Sequence, residues 1–353
     1  MIPELYQIYY ASFLLFGVSI LIFLYLIGVR LIKLYAEKRR QKFIQNIQDE
    51  LISILFSGED VFSETSNLAI LKLKDKISEN SSRKKHFINL LLELSKSLDG
   101  EVRGALGYIY LKCDLLPFSE RILFQGSWVE KAITIQVLSQ LHIDSAFEFI
   151  SLFTNDKNIL IRREAQIAAV RLGGANCLKF IDDLEVSLSV WQQLRILEEL
   201  KHQEKTIIPN YKVWFLSKNE SVVHFALKLI AEFGHLEALV HFKYIFTTDS
   251  IQLRKRLLDT IRKLQIPFFN DEFLRWKNVH DLRLDVIKTL TVTNDNKQKE
   301  ILPFLESDEY NIFKQALLFF KKNNNAMLDE FLVTHTLTDN QQKILKQVND
   351  PRI

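Results

Sequence analysis

Residues 156–185, DKNILIRREAQIAAVRLGGANCLKFIDDLE, decide how the rest of the chain is read. Ile161, Ala165, Ala168, Ala169 and Leu172 recur at the spacing of one helical face, and Gly173 with Gly174 ends the run. Apolar residues resume from Ala175 to Leu184, so the stretch predicts a helix, a turn and a second helix. One such pair buries its apolar stripe only against copies of itself stacked on either side.

The chain supplies the copies. Helices of the same kind are predicted to begin at Glu101, Trp128, Ile159, Val190, Glu220, Ile251, Leu282 and Asn311. Arg103, Lys131, Arg162, His224, Arg254, Arg283 and Lys314 fall close to one column, at steps of roughly 28–31 residues, doubled across the Trp191 copy. Shorter amphipathic helices are expected between them at 144–153, 175–185, 206–216, 235–246, 268–276, 297–306 and 326–334. An earlier pair covers 65–77 and 83–98, with Ser81 or Ser82 capping its second member, and NQQKILKQV closes the array with a more polar helix. Gly and Pro number only 10 and 6 in 353 residues, too few for the turns of a β-rich fold. With no sustained period-two alternation, the fold class is all-α.

The segments DKNILIRREAQIAAVRLGG and NESVVHFALKLIAEFGHLEAL resemble HEAT repeats of the short bacterial kind, whose pattern is D-x-x-x-V-R-x-x-A-x-x-A-L-x-x-L-G. The resemblance covers roughly residues 100–335, and the copies at 128 and 190 depart from it by losing the Asp and the Arg. It implies a right-handed α-solenoid over 57–350, in which the Val-Arg helix is the second of each pair and lines the concave face. It also implies that Asp156, Asp249, Arg162, Arg254 and Arg283 pair between neighbours as a structural ladder. The chain is similar to membrane-anchored bacterial HEAT-repeat proteins associated with membrane glycosyltransferases of envelope polysaccharide synthesis.

Residues 8–29 carry no charge over 22 positions, about 33 Å as a helix and enough to cross a bilayer core. No Lys or Arg precedes Arg30 and no small-residue cleavage pattern follows, so a retained transmembrane helix is expected rather than a signal peptide. Arg30, Lys33, Lys38, Arg39, Arg40 and Lys42 all follow the apolar run. They predict residues 1–7 outside, a basic juxtamembrane helix over 30–56, and the C-terminal part in the cytoplasm of a single-pass inner-membrane protein. Tyr6, Tyr9 and Tyr10 at one end, with Tyr25 and Tyr35 at the other, suit interfacial belts. The same cations are candidates for anionic lipid.

Chemistry is sparse. The eight histidines show no metal-ligand spacing, no nucleophile elbow or phosphate loop is present, and Cys113 and Cys177 suit a reducing compartment. Catalytic, metal and cofactor residues are therefore expected to be none. A formal charge of +3 argues against nucleic acid as partner. If the Val-Arg helices line the inner face, Arg163, Arg171, Lys228, Lys255, Arg256, Arg262 and Lys288, with Phe225 nearby, form a basic stripe suited to an acidic protein segment. The expected function is a non-catalytic scaffold for a membrane-associated protein partner, of open oligomeric state. The alternatives are a signalling adaptor for a soluble regulator and a lyase-type enzyme on a HEAT-like scaffold.

Overall fold

A computed structural model of the chain describes residues 2–57, 60–97, 100–202, 209–266, 273–293, 297–323 and 325–350, with the side chains of 2–12, Glu101 and Ala175 outside that description. Among the described residues every regular element is helical. The chain divides into two compact units, Met1–Ile150 and Ser151–Ile353.

In the first unit α1 (Ile2–Leu55) is one continuous helix of 54 residues, about 81 Å long. Its apolar N-terminal part is long enough and apolar enough to cross a membrane, with a mean hydropathy of 2.4 and no residue of that window buried. Toward its C-terminus the same helix acquires a packed stripe. Ile47, Leu51 and Ile54 are buried where α1 meets α2 (Glu64–Ser78) and α3 (Ser81–Ser97). The interfacial roles expected of Tyr6, Tyr9 and Tyr10 lie outside the described side chains, whereas Tyr25 and Tyr35 are exposed. Asn80, not Ser81 or Ser82, caps α3, its Oδ1 accepting the Arg83 backbone N–H at 2.8 Å.

α4 (Glu101–Lys112), α5 (Leu116–Gln125) and α6 (Trp128–Gln140) complete this unit's long helices. Pro117 in the first turn of α5 masks that helix in the sequence, although Pro is well tolerated there. A capping box of Ser127 and Glu130 starts α6. Glu130 also takes a hydrogen bond from Lys85, and these contacts lower its carboxyl to about 2. α4 packs so closely that a Cβ on Gly107 would stand 2.5 Å from the Leu141 carbonyl oxygen.

After the short α7 (Phe147–Ser151), the second unit is organised by α8 (Ile159–Leu172), α9 (Val190–Lys201), α11 (Glu220–Phe233), α13 (Ile251–Leu264), α14 (His280–Thr293) and α16 (Tyr310–Asn323). Their first residues are 29–31 apart. Asn158, Ser189, Asn219 and Ser250 cap the first four by the same contact, a side-chain oxygen accepting first-turn N–H groups. α8 packs on α9, α11 on α13, α13 on α14, and α14 on α16. The apolar faces merge into one core that runs from Ile167 to Val348.

The connecting segments differ from expectation. In place of helices at 175–185 and 144–153 there are 3-10 turns at Gly174–Asn176, Lys179–Ile181 and Asp144–Ala146, the last leading into α7. The segment 235–246 becomes a 3-10 turn, Leu236–His241, with the single turn α12 (Lys243–Phe246). Likewise 297–306 becomes α15 (Gln298–Ile301) and a 3-10 turn, Leu302–Glu306. Of 206–216 the described part forms α10 (Tyr211–Phe215), and of 268–276 the 3-10 turn Phe273–Asn278; residues 206–208 and 268–272 lie outside the described residues. Only 326–334 is helical throughout, within α17 (Asn325–Thr334), followed by α18 (Asp339–Val348). The physical reason is length: in about ten residues the cost of helix nucleation is not recovered by propagation. Leu178, Ile181 and Leu184 are buried at a spacing of three, the period of a 3-10 helix.

Candidate partner-binding surface

The recurrent arginines have one structural task in three repeats. Arg162 donates to the Asp156 carbonyl at 2.5 Å, Arg254 to the Thr248 carbonyl, and Arg283 to the Lys277 carbonyl at 3.1 Å. Each reaches back six residues and ties the helix to its own incoming loop. Arg254 also lies over the Trp276 ring and Arg283 over the Phe304 ring. The expected Asp–Arg ladder is therefore corrected. The Asp156 carboxylate takes the Asn158 backbone N–H at 2.7 Å, and Asp249 stands 4.0 Å from Arg254. Carbonyl oxygens fixed by the loop are the better-placed acceptors.

The eight residues expected to meet a partner are sorted by packing. Phe225 is fully buried and stacked on Trp214, with centroids 6.1 Å apart, so it belongs to the core. Helical phase explains this, since Phe225 shares the face of Val222 and Leu229, and all three are buried. Arg171 forks onto Glu199 of α9, its Nε donating to Oε2 at 3.0 Å and its Nη2 to Oε1. Arg262 bridges to α14 through the Asp285 carbonyl at 3.0 Å and its carboxylate at 3.3 Å, and it also holds Asp259. Both arginines are thus internal ties rather than a docking face. Glu232 similarly joins Lys201 of α9 to Lys263 of α13, and these two hydrogen bonds lower its carboxyl to about 2.

Arg163, Lys228, Lys255, Arg256 and Lys288 are half-buried and make no ion pair among the described residues. His224 and Lys228 on α11 both lie within electrostatic reach of Arg256 on α13. Burial and the neighbouring Arg256 lower the pKa of both His224 and Lys228, against weaker opposition from Glu220 and Glu232 respectively. This is a site of unbalanced positive charge.

Sequence reasoning missed the apolar residues at the starts of α8 and α9. Ile159, Leu160, Val190, Trp191 and Leu194 are all exposed, and Trp191 carries Arg195 over its ring at 5.1 Å. The signal was present in phase. α9 buries Gln192, Gln193, Ile196, Leu197 and Leu200, which leaves Trp191 and Leu194 on the other side. Leu194 stands five residues past its cap, the position that Arg163, His224 and Lys255 hold on their own helices. An exposed Trp beside Arg is the composition that dominates binding energy at protein interfaces.

The juxtamembrane cations Arg30, Lys33, Lys38, Arg39, Arg40 and Lys42 are all exposed on α1. Arg40 pairs with Glu37 at 2.7 Å and Arg39 lies over Tyr35. Among the described residues no group of three His, Cys, Asp or Glu side chains is placed to hold a metal. Cys113 and Cys177 are buried, and burial raises both thiols to about 12, which makes them poor nucleophiles. A cavity of about 340 Å³ beside α11 is lined by Leu216, Lys218, Glu220, Tyr244 and Thr248, without a paired acid and base. No family model matches the chain, and no curated protein matches it.

Proposed function

We propose that this chain is a non-catalytic adaptor, tethered to the inner membrane by α1, which captures a membrane-associated protein with its second unit. In this reading Ser151–Ile353 is a right-handed α-solenoid of HEAT-like repeats. The even spacing of its long helices supports it, as does the packing of α8 on α9 and of α11, α13, α14 and α16 in sequence order. The basic residues after the apolar run support an N-terminus outside, with the part of the first unit that follows the span and all of the second unit in the cytoplasm. The observation that carries the function is that Lys228 and Arg256 lie within electrostatic reach of each other with no ion pair among the described residues, while Lys255 adjoins Arg256 on α13 and Trp191 and Leu194 are exposed on α9. Basic and apolar groups in one array suit an amphipathic segment with acidic residues on one side. Tethering raises the local concentration of the unit near membrane partners. A membrane glycosyltransferase of envelope polysaccharide synthesis is the partner class that the HEAT resemblance favours.

The test is affinity capture from solubilised membranes with the full chain. Wild type is compared with a variant carrying Lys228→Glu, Lys255→Glu and Arg256→Glu, and with Trp191→Ala alone. One membrane protein retained by wild type and lost from both variants is the expected result. Arg262 is left intact because reversing it would break the α13–α14 tie. Retention of the same protein by the triple variant would remove the cluster from the function.

A further inference from the structure

The stripe that packs the C-terminal part of α1 does not stop where the packing stops. Ile44, Ile47, Leu51 and Ile54 continue backwards at alternating steps of three and four through Arg40, Glu37, Lys33, Arg30 and Leu26. Ile47, Leu51 and Ile54 are buried. From Leu26 to Arg40 the same face borders an open groove of about 830 Å³, whose opposite rim is Ser82 and His86 of α3. The stripe changes character there, from apolar to basic.

Depth makes that change significant. On the other faces of α1, Leu31, Ile32 and Tyr35 remain exposed and apolar, as they would where a helix still touches hydrocarbon or the interface. Arg30 and Lys33 therefore leave the helix at a level where charge is costly without a counter-charge. Along the axis Arg40 lies about 15 Å from Arg30 and about 10.5 Å from Lys33, so the stems of Arg30 and Lys33 extend outward and that of Arg40 back along the helix to bring the charges toward one level. Three cations face the groove against one carboxylate, Glu37, which Arg40 already holds. Its occupant must be apolar at one end, at Leu26 and Val29, and anionic at the other. Ser82 Oγ lies 3.4 Å from His86 Nδ1 on the far rim. Burial and Arg40 lower the His86 pKa, so at neutral pH that ring adds hydrogen-bonding nitrogens rather than charge.

We propose that the groove between α1 and the first turns of α3 holds one anionic phospholipid, its phosphate taken by Arg30, Lys33 and Arg40 and its head bordered by Ser82 and His86. The site rests on the reading of α1 as a membrane anchor. A lipid seated there ties α3 to the bilayer surface, through a contact that neither helix makes alone.

The experiment is native mass spectrometry of the full chain in neutral detergent, titrated with phosphatidylglycerol and separately with phosphatidylcholine of the same acyl chains. The first phosphatidylglycerol is expected to bind more tightly than phosphatidylcholine. In a variant with Arg30→Gln and Lys33→Gln that preference falls roughly 30-fold. Ser82→Glu, which places a carboxylate on the α3 rim at an exposed first-turn position, is expected to abolish it. Equal binding of the two lipids by wild type, or an intact preference in Ser82→Glu, overturns the site. Glycerol phosphate, the soluble head, is expected not to displace the lipid; displacement at matched concentration overturns the lipid as ligand. Alkaline extraction of membranes separates the two readings. A chain that extracts has no span, and both readings fall; a chain that stays while showing no preference sinks only this one.

Discussion

At the scale of single residues, Phe225 and Lys228 show how little separates core from surface. They sit three positions apart on α11, one with no exposed area and the other at the edge of a positive cluster. Tyr211 and His235 form an enclosed polar pair, the tyrosine hydroxyl meeting His235 Nδ1 while His235 Nε2 has no partner among the described residues. Burial raises the Tyr211 pKa and lowers that of His235, so both are neutral at pH 7. His224 is lowered too, by burial and by Arg256. The sign of the linkage follows. Below the ordinary value of 6.5 the unfolded chain takes up protons that the folded chain refuses, so stability is full above 6.5 and falls as pH drops toward the depressed folded values. Thermal unfolding of the full protein in detergent, followed from about pH 7.5 to about pH 5.5, checks this. A midpoint that holds or rises on acidification contradicts it, and His224→Gln is expected to flatten part of the slope.

At the scale of elements, two devices that local sequence can encode hold the long helices of the second unit, and α8 and α13 carry both. One is the polar cap at Asn158, Ser189, Asn219 or Ser250. The other is the arginine that reaches back six residues to a loop carbonyl in α8, α13 and α14. Arg254 combines its carbonyl bond with the face of Trp276, 5.2 Å away, and its side chain is largely covered. Arg254→Lys keeps the charge but loses the planar group that does both, and is expected to cost about 1–3 kcal/mol. Denaturant unfolding of the two full-length proteins measures the difference, and equal midpoints with equal slopes would show that the clamp contributes nothing. The helix starts are legible in the sequence, because caps and the 3.6-residue period are local. The linkers are not, because a short apolar run fits a helix or a 3-10 turn equally until its neighbours fix the spacing.

At the scale of the whole molecule, a net charge of +3 conceals a sorting of charge. In the second unit Glu199, Glu232 and Asp285 neutralise cations on adjacent helices, while Lys228, Lys255 and Arg256 make no ion pair among the described residues. Capture of a partner through that cluster is expected to weaken as salt rises. Raising ionic strength from 0.1 M to 1 M shortens the screening length from about 10 Å to about 3 Å. The fraction of chain sedimenting with membranes is expected not to change, since its anchor is apolar. Measuring retained partner and sedimented chain in the same samples distinguishes these. Salt-independent capture would move the binding surface to the apolar group around Trp191.

The sequence by itself determined the helical class, the long apolar N-terminal helix and the beginnings of the repeated helices, all properties of windows shorter than about twenty residues. Tertiary structure alone decided which of the basic residues are spent. Arg171 is taken up by Glu199, 28 residues away, and Arg262 by Asp285, 23 residues away. It also placed Phe225 inside and Trp191 outside, and set the α3 rim across from Arg30 and Lys33. Charge pairing and burial depend on the neighbouring helix about one repeat further along, and no local period carries that information.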